Sequence, residues 1–119
     1  MTTPIVDFAR RYADSGAVRL HMPGHKGKGA LCENIDITEF EGADDLYHAD
    51  GIIRESEENA SALFGAHTFY STEGSSLSIR AAVYLTSLYA RQNGSRPLIA
   101  AGRNAHKSFI SALAYREVR

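Results

Sequence analysis

The chain has 119 residues, 44% of them apolar and 23% charged, with 13 basic side chains against 14 acidic. That is the composition of one ordinary soluble domain. A formal charge of −1 argues against a nucleic-acid-binding module, which would carry a basic stripe. No apolar run approaches the roughly 20 residues of a membrane span, and Met1-Thr2-Thr3-Pro4-Ile5-Val6-Asp7 lacks the basic and apolar regions of a secretory signal. The single cysteine, Cys32, excludes an internal disulfide and a cysteine-rich zinc module, so the chain reads as cytoplasmic. The basic residues are ten Arg and only three Lys (Lys26, Lys28 and Lys107), so chemistry that needs a lysine amine has few candidates.

Taken in order, the first element is a helix. Thr3 can cap it, Pro4 suits the first helical position, and Asp7 sits in the positive first turn. Ile5, Phe8, Ala9 and Tyr12 give one apolar stripe, and Gly16 is its stop. His21-Met22-Pro23-Gly24-His25-Lys26-Gly27-Lys28-Gly29 has no period and reads as a loop or extended arm. Residues 34–40 have room for a short strand, and residues 44–51 read as another loop. A second helix starts near Ile53, with Glu55, Glu57 and Glu58 as a solvated first turn, Ala60, Leu63 and Phe64 as its apolar face, and Gly65 as its end.

His67-Thr68-Phe69-Tyr70-Ser71 is rich in β-formers and predicts a strand. After a turn at residues 72–76 comes a long helix with Leu77, Ala81, Tyr84, Leu85 and Leu88 on one face, stopped by Asn93-Gly94. Leu98-Ile99-Ala100-Ala101 predicts a strand covered on both faces. Asn104 can cap a last helix that buries Phe109, Ile110, Leu113 and Ala114. The order strand, helix, strand, helix predicts an α/β fold: parallel strands joined by right-handed crossovers, with helices on the sheet faces.

In such sheets ligands collect beyond the carboxyl ends of the strands. The turns at 72–78 and 102–108 both fall there, and neighbouring strands would set them side by side. The first suits a phosphate: Gly74 lets the backbone approach an anion, Ser75 and Ser76 can donate hydroxyl hydrogen bonds, and the helix N-terminus adds free N–H groups. The alternative is a serine cap in a tight turn. It is not a Walker A loop. In the second turn, His106 could stack on an aromatic ligand, transfer a proton or donate a hydrogen bond, or be half of a solvated His-Lys pair. His21, His25 and His48 give no metal site, because Pro23 and Gly24 break the helix that a four-residue spacing would need.

Five motifs stand in series: His21-Met22-Pro23-Gly24-His25-Lys26-Gly27, Asp44-Asp45-Leu46-Tyr47, Phe64-Gly65-Ala66, Gly74-Ser75-Ser76 and Arg103-Asn104-Ala105-His106-Lys107-Ser108. The series resembles the amino-terminal part of the Orn/Lys/Arg decarboxylases, pyridoxal-phosphate enzymes of the aspartate-aminotransferase fold. The resemblance implies an α/β large domain with a parallel-type sheet, of which this chain carries a truncated part. Residues 1–30 would form the helix and glycine-rich arm, and residues 31–119 the start of the cofactor-binding major domain. It implies pyridoxal 5'-phosphate as cofactor, held by Gly74, Ser75 and Ser76 at its phosphate and by His106 stacked on its ring. Arg103 and Ser108 would be neighbours, and His25 and Lys26 would lie near an active site at a dimer interface. The reaction implied is decarboxylation of arginine, lysine or ornithine.

The family's Schiff-base lysine and the aspartate that pairs with the pyridine nitrogen have no match in these residues. The chain alone is therefore expected to be inactive and unable to bond the cofactor covalently. Two other readings stay open: an inactive remnant or regulatory partner of a full-length relative, and another lyase or aldolase of the same fold type. Gly102 and Ala105 depart from the residues that many relatives carry there.

Overall fold

The computed structural model describes residues 2–114. It divides into two units, Met1–Tyr70 and Ser71–Arg119. The first holds α1 (Pro4–Asp14) and α2 (Ile52–Phe64), with a short 3-10 turn at Glu33–Ile35 between them. The second holds α3 (Gly74–Gln92) and α4 (Lys107–Ala114). No described helix is long and apolar enough to cross a membrane.

In the first unit α1 begins as its residues dictate. Pro4 is its first residue and is buried, and the Asp7 carboxylate accepts the Thr3 backbone N–H at 3.1 Å and its hydroxyl at 3.0 Å. Thr3 thus ties down the helix start through Asp7 and does not accept a cap bond itself. α1 packs against α2, and Asn59 Nδ2 fastens the chain start by donating to the Thr2 carbonyl at 3.3 Å. The inner face of α1 leads into an aromatic nest. Phe40 lies 4.8 Å from Tyr12 and 4.5 Å from His21, centroid to centroid, and the Tyr12 hydroxyl meets His21 Nε2 at 2.7 Å.

The glycine-rich arm is pinned along its length. The Arg19 guanidinium lies 4.7 Å over the Tyr12 ring and donates to the carbonyls of Glu33 and Asn34. His25 Nδ1 accepts the Gly27 N–H at 3.0 Å, which leaves its Nε2–H to donate to Asp36 at 3.1 Å.

Asp44 organises the approach to α2. Its carboxylate accepts the backbone N–H groups of Asp45, Asp50, Gly51 and Ile53, at 2.9, 3.2, 2.9 and 2.8 Å. Two of these donors belong to the N-terminus of α2, so the helix is capped from well upstream. Partial burial pushes the Asp44 carboxyl up, but the four amide bonds outweigh it and hold the group at about 2, below its ordinary 3.8.

In the second unit α3 packs against α4. Val83 and Ser87 are buried on α3 and Ala112 on α4. The Ser87 hydroxyl donates to the Val83 carbonyl one turn back at 2.7 Å, so this buried polar group is satisfied.

The α/β architecture expected from the sequence is not what the structure has. Among the described residues there is no strand, and every regular element is helical. Residues 67–71 lie in no regular element, and two of their amides are taken by α2: Thr68 N–H donates to Ser61 Oγ at 2.9 Å, and Tyr70 N–H to Glu57 Oε1 at 2.7 Å. A strand needs a neighbouring ladder for those groups, and here helix side chains replace it. Residues 98–101 are also outside any strand, with Leu98 83% exposed where a covered strand would bury it. Residues 34–40 begin in the 3-10 turn.

The helices fall where periodicity put them, and Gly16, Gly65 and Asn93-Gly94 follow their ends. Their buried faces differ. The stripe Leu77, Tyr84 and Leu85 on α3 is exposed, because α4 covers the Val83 and Ser87 side. On α2, Leu63 and Phe64 are exposed, and on α4, so is Ile110.

Candidate functional site

The two turns singled out in the sequence both belong to the second unit, and the packing of α3 on α4 joins them. The Ser76 and Ser108 hydroxyl oxygens lie 2.8 Å apart. Ser76 stands on the same face of α3 as Val83 and Ser87, which spacings of seven and eleven residues place together. That face is the one turned to α4.

The first turn of α3 combines a helix start without a side-chain cap bond, a glycine and two serines. The residue before it, Glu73, makes no side-chain cap bond, so the leading N–H groups are not capped by it. Gly74 has φ +60 and nothing within 4 Å of where a Cβ would stand. The backbone is therefore open to close approach, in a conformation that side chains rarely adopt. Ser75 is exposed and Ser76 half-buried, and both bring hydroxyl donors. The acid at the mouth of this turn is neutralised: the Glu73 carboxylate pairs with the Arg80 guanidinium, which comes from the second turn of the same helix. Arg80 Nε is buried without a hydrogen-bond partner.

The second turn starts α4, and here the cap differs from expectation. Asn104 stands in the turn that Ala105 N–H closes on the Gly102 carbonyl at 3.0 Å. The helix begins at Lys107, and His106 caps it: Ser108 N–H donates to His106 Nδ1 at 3.2 Å. The Ser108 hydroxyl also lies 3.1 Å from that nitrogen. A ring nitrogen that accepts an N–H carries no proton, so neutral His106 holds its proton on Nε2. The sequence left Ser108 a neighbour of uncertain role. The signal that would have found it is the i, i+2 step from a capping residue to the second helical N–H.

Of the other candidate residues, Arg103 is exposed in the turn before α4. His25 and Lys26 belong to the first unit, where His25 meets Asp36 and Lys26 Nζ donates to the His21 carbonyl at 2.5 Å. No cluster of three or more His, Cys, Asp or Glu side chains stands together among the described residues.

The chemistry of this donor set fits a phosphorylated ligand. The helix N-terminus supplies backbone N–H donors, the serine hydroxyls can turn their protons to an anion, and the nearby Glu73 carboxylate is already paired.

The chain belongs to the Orn/Lys/Arg decarboxylase family: the family model for its major domain matches residues 3–119. Pyridoxal-phosphate dependence is a property of that family. The chain is 34% identical over 126 residues to the protein named arginine decarboxylase in Halalkalibacterium halodurans, covering 95% of this chain and 24% of that protein. It is likewise 34% identical to the arginine decarboxylase of Bacillus subtilis, with the same coverage of each chain. A further Bacillus subtilis relative, the uncharacterized protein YaaO, is 31% identical over 95% of this chain and 25% of its own length. The chain thus spans about a quarter of the length of these relatives. No solved structure matches it.

Proposed function

We propose that the Gly74–Ser76 turn and the His106–Ser108 turn form the phosphate and ring corner of a pyridoxal-phosphate site, in a decarboxylase acting on a basic amino acid. The observation that carries this reading is the 2.8 Å contact between Ser76 and Ser108, which brings the two motifs into one place. The relatives that bear the name arginine decarboxylase make arginine the first substrate to try.

In this reading the N–H groups of Gly74, Ser75 and Ser76 and the hydroxyls of both serines hold the phosphate. Arg80 keeps the Glu73 carboxylate from repelling it. His106 offers its ring face to the pyridine, and its orientation is set by the Nδ1 cap to α4. The bound cofactor supplies an electron sink for the carbanion left when carbon dioxide departs. The dimer implied by the family resemblance, in which His25 and Lys26 approach an active site, is part of the same proposal.

Calorimetric titration of the chain with pyridoxal phosphate and with pyridoxal tests the phosphate cradle directly. The expected result is binding of the phosphorylated compound that Ser76→Ala weakens about 5- to 20-fold, in line with the loss of a charge-assisted hydrogen bond of roughly 1–2 kcal/mol. Equal affinity for the two compounds would overturn the reading.

A further inference from the structure

We propose that the Ser108 hydroxyl couples the phosphate cradle to the histidine, so that an anion bound at Ser76 is sensed at His106 Nδ1. The inference rests on the cradle reading and adds to it a positioning residue that transmits occupancy.

The argument is a count of protons. Three groups form a chain: Ser76 Oγ lies 2.8 Å from Ser108 Oγ, and Ser108 Oγ lies 3.1 Å from His106 Nδ1. The Ser108 backbone N–H already donates to Nδ1 at 3.2 Å, so Nδ1 is an acceptor and cannot donate back. The Ser108 hydroxyl has one proton. Both of its contacts are satisfied only if it donates to Nδ1 and accepts from Ser76. Without an anion, the chain of donation therefore runs from Ser76 to Ser108 to His106.

An anion at the start of α3 reverses the first link. A charge-assisted bond is the stronger one, so Ser76 turns its proton to the anion. Ser76 Oγ then offers only lone pairs to Ser108. The Ser108 hydroxyl follows by donating to Ser76, and Nδ1 keeps the backbone N–H alone. No covalent bond changes and no proton leaves its oxygen. The effect is that the imidazole loses one hydrogen-bond donor when the cradle fills. The ring that would face the pyridine thereby becomes more electron-rich when the phosphate is seated.

The test uses the full chain labelled with 15N throughout, titrated with inorganic phosphate at mildly alkaline pH. Backbone amides of residues 74–76 report the cradle, and the Nδ1 resonance of His106 reports the ring. Both are expected to move with one midpoint. In Ser108→Ala the amides still move and the Nδ1 response is lost, while Ser108→Thr, which keeps a hydroxyl, restores it. Amides that move while Nδ1 of the wild-type chain stays fixed would overturn the coupling and leave the cradle standing. A Nδ1 response that survives in Ser108→Ala would also overturn it. Amides that do not move at all would remove the cradle reading and the coupling with it.

Discussion

Ser76 and Ser108 are 32 residues apart in sequence and their hydroxyls meet at 2.8 Å across the packing of α3 on α4. The contact is half-buried, so each oxygen has exchanged water for its partner. Replacing either serine by alanine leaves the other with an incompletely satisfied hydroxyl and is expected to cost about 1 kcal/mol. The double replacement should cost less than the sum by roughly 0.5–1 kcal/mol. Urea denaturation of the four proteins measures the difference, and strict additivity would show that the contact contributes nothing.

Arg80 and Glu73 are expected to act on anion binding through charge compensation. Arg80→Ala strips the partner from a carboxylate at the start of α3 and should weaken phosphate binding several-fold, because an unpaired negative charge there opposes the ligand. Glu73→Gln in the Arg80→Ala background should recover most of the loss. The pair is partly exposed, so the effect should shrink as salt is added. A phosphate titration at two ionic strengths checks both statements.

Asp44 gives the chain an acid-sensitive joint. Its carboxyl is held at about 2 in the folded chain against an ordinary 3.8, so the charged form binds its four amides more tightly than the neutral form can. A depressed folded value means stability that is fully present above the ordinary value and is lost as pH falls through the folded one. The window is therefore between about pH 4 and pH 2. Hydrogen exchange at the amides of Asp50, Gly51 and Ile53 should accelerate across it. In Asp44→Asn, exchange should be fast already at neutral pH and no longer depend on that window.

The bond from Tyr12 to His21 anchors the glycine-rich arm to α1. Tyr12→Phe keeps the ring contacts with Phe8 and Phe40 and removes only the 2.7 Å hydroxyl contact. It is expected to cost about 1 kcal/mol and to raise amide exchange in residues 19–27 while leaving α3 unchanged. Uniform destabilisation of both units would contradict that assignment.

How far the residues announced this structure depends on the range of the interaction. Three of the helices are written locally, in the Thr3-Pro4 start of α1, the Gly65 stop of α2 and the Asn93-Gly94 stop of α3. The segments expected as strands are not, because a strand is decided by what its amides find. Thr68 and Tyr70 find Ser61 and Glu57 of α2, and no local propensity records that. The buried face of α3 departs from its apolar period for a related reason. Its most apolar stripe runs through Leu77, Tyr84 and Leu85, while α4 packs on the side that carries Ser76, Val83 and Ser87. Gly74, Ser76, His106 and Ser108 were named, and the family match bears out the resemblance that their motifs carried. Yet helix packing, not adjacent strand ends, brings the two turns together. The reach of Asp44 to Gly51 and Ile53 was invisible because residues 44–51 read only as a loop.

Gly27 lies against the Arg19 guanidinium. A methyl group built on it would stand 2.5 Å from the Arg19 guanidinium carbon, and its φ is +74. That guanidinium is itself held by the Glu33 and Asn34 carbonyls and by the face of Tyr12. Gly27 therefore keeps a slot clear: the smallest side chain placed there displaces the Arg19 guanidinium from the face of Tyr12 and from the Glu33 and Asn34 carbonyls. A substitution at this half-buried glycine of the arm is thus felt at the outer face of Tyr12, where the guanidinium rests.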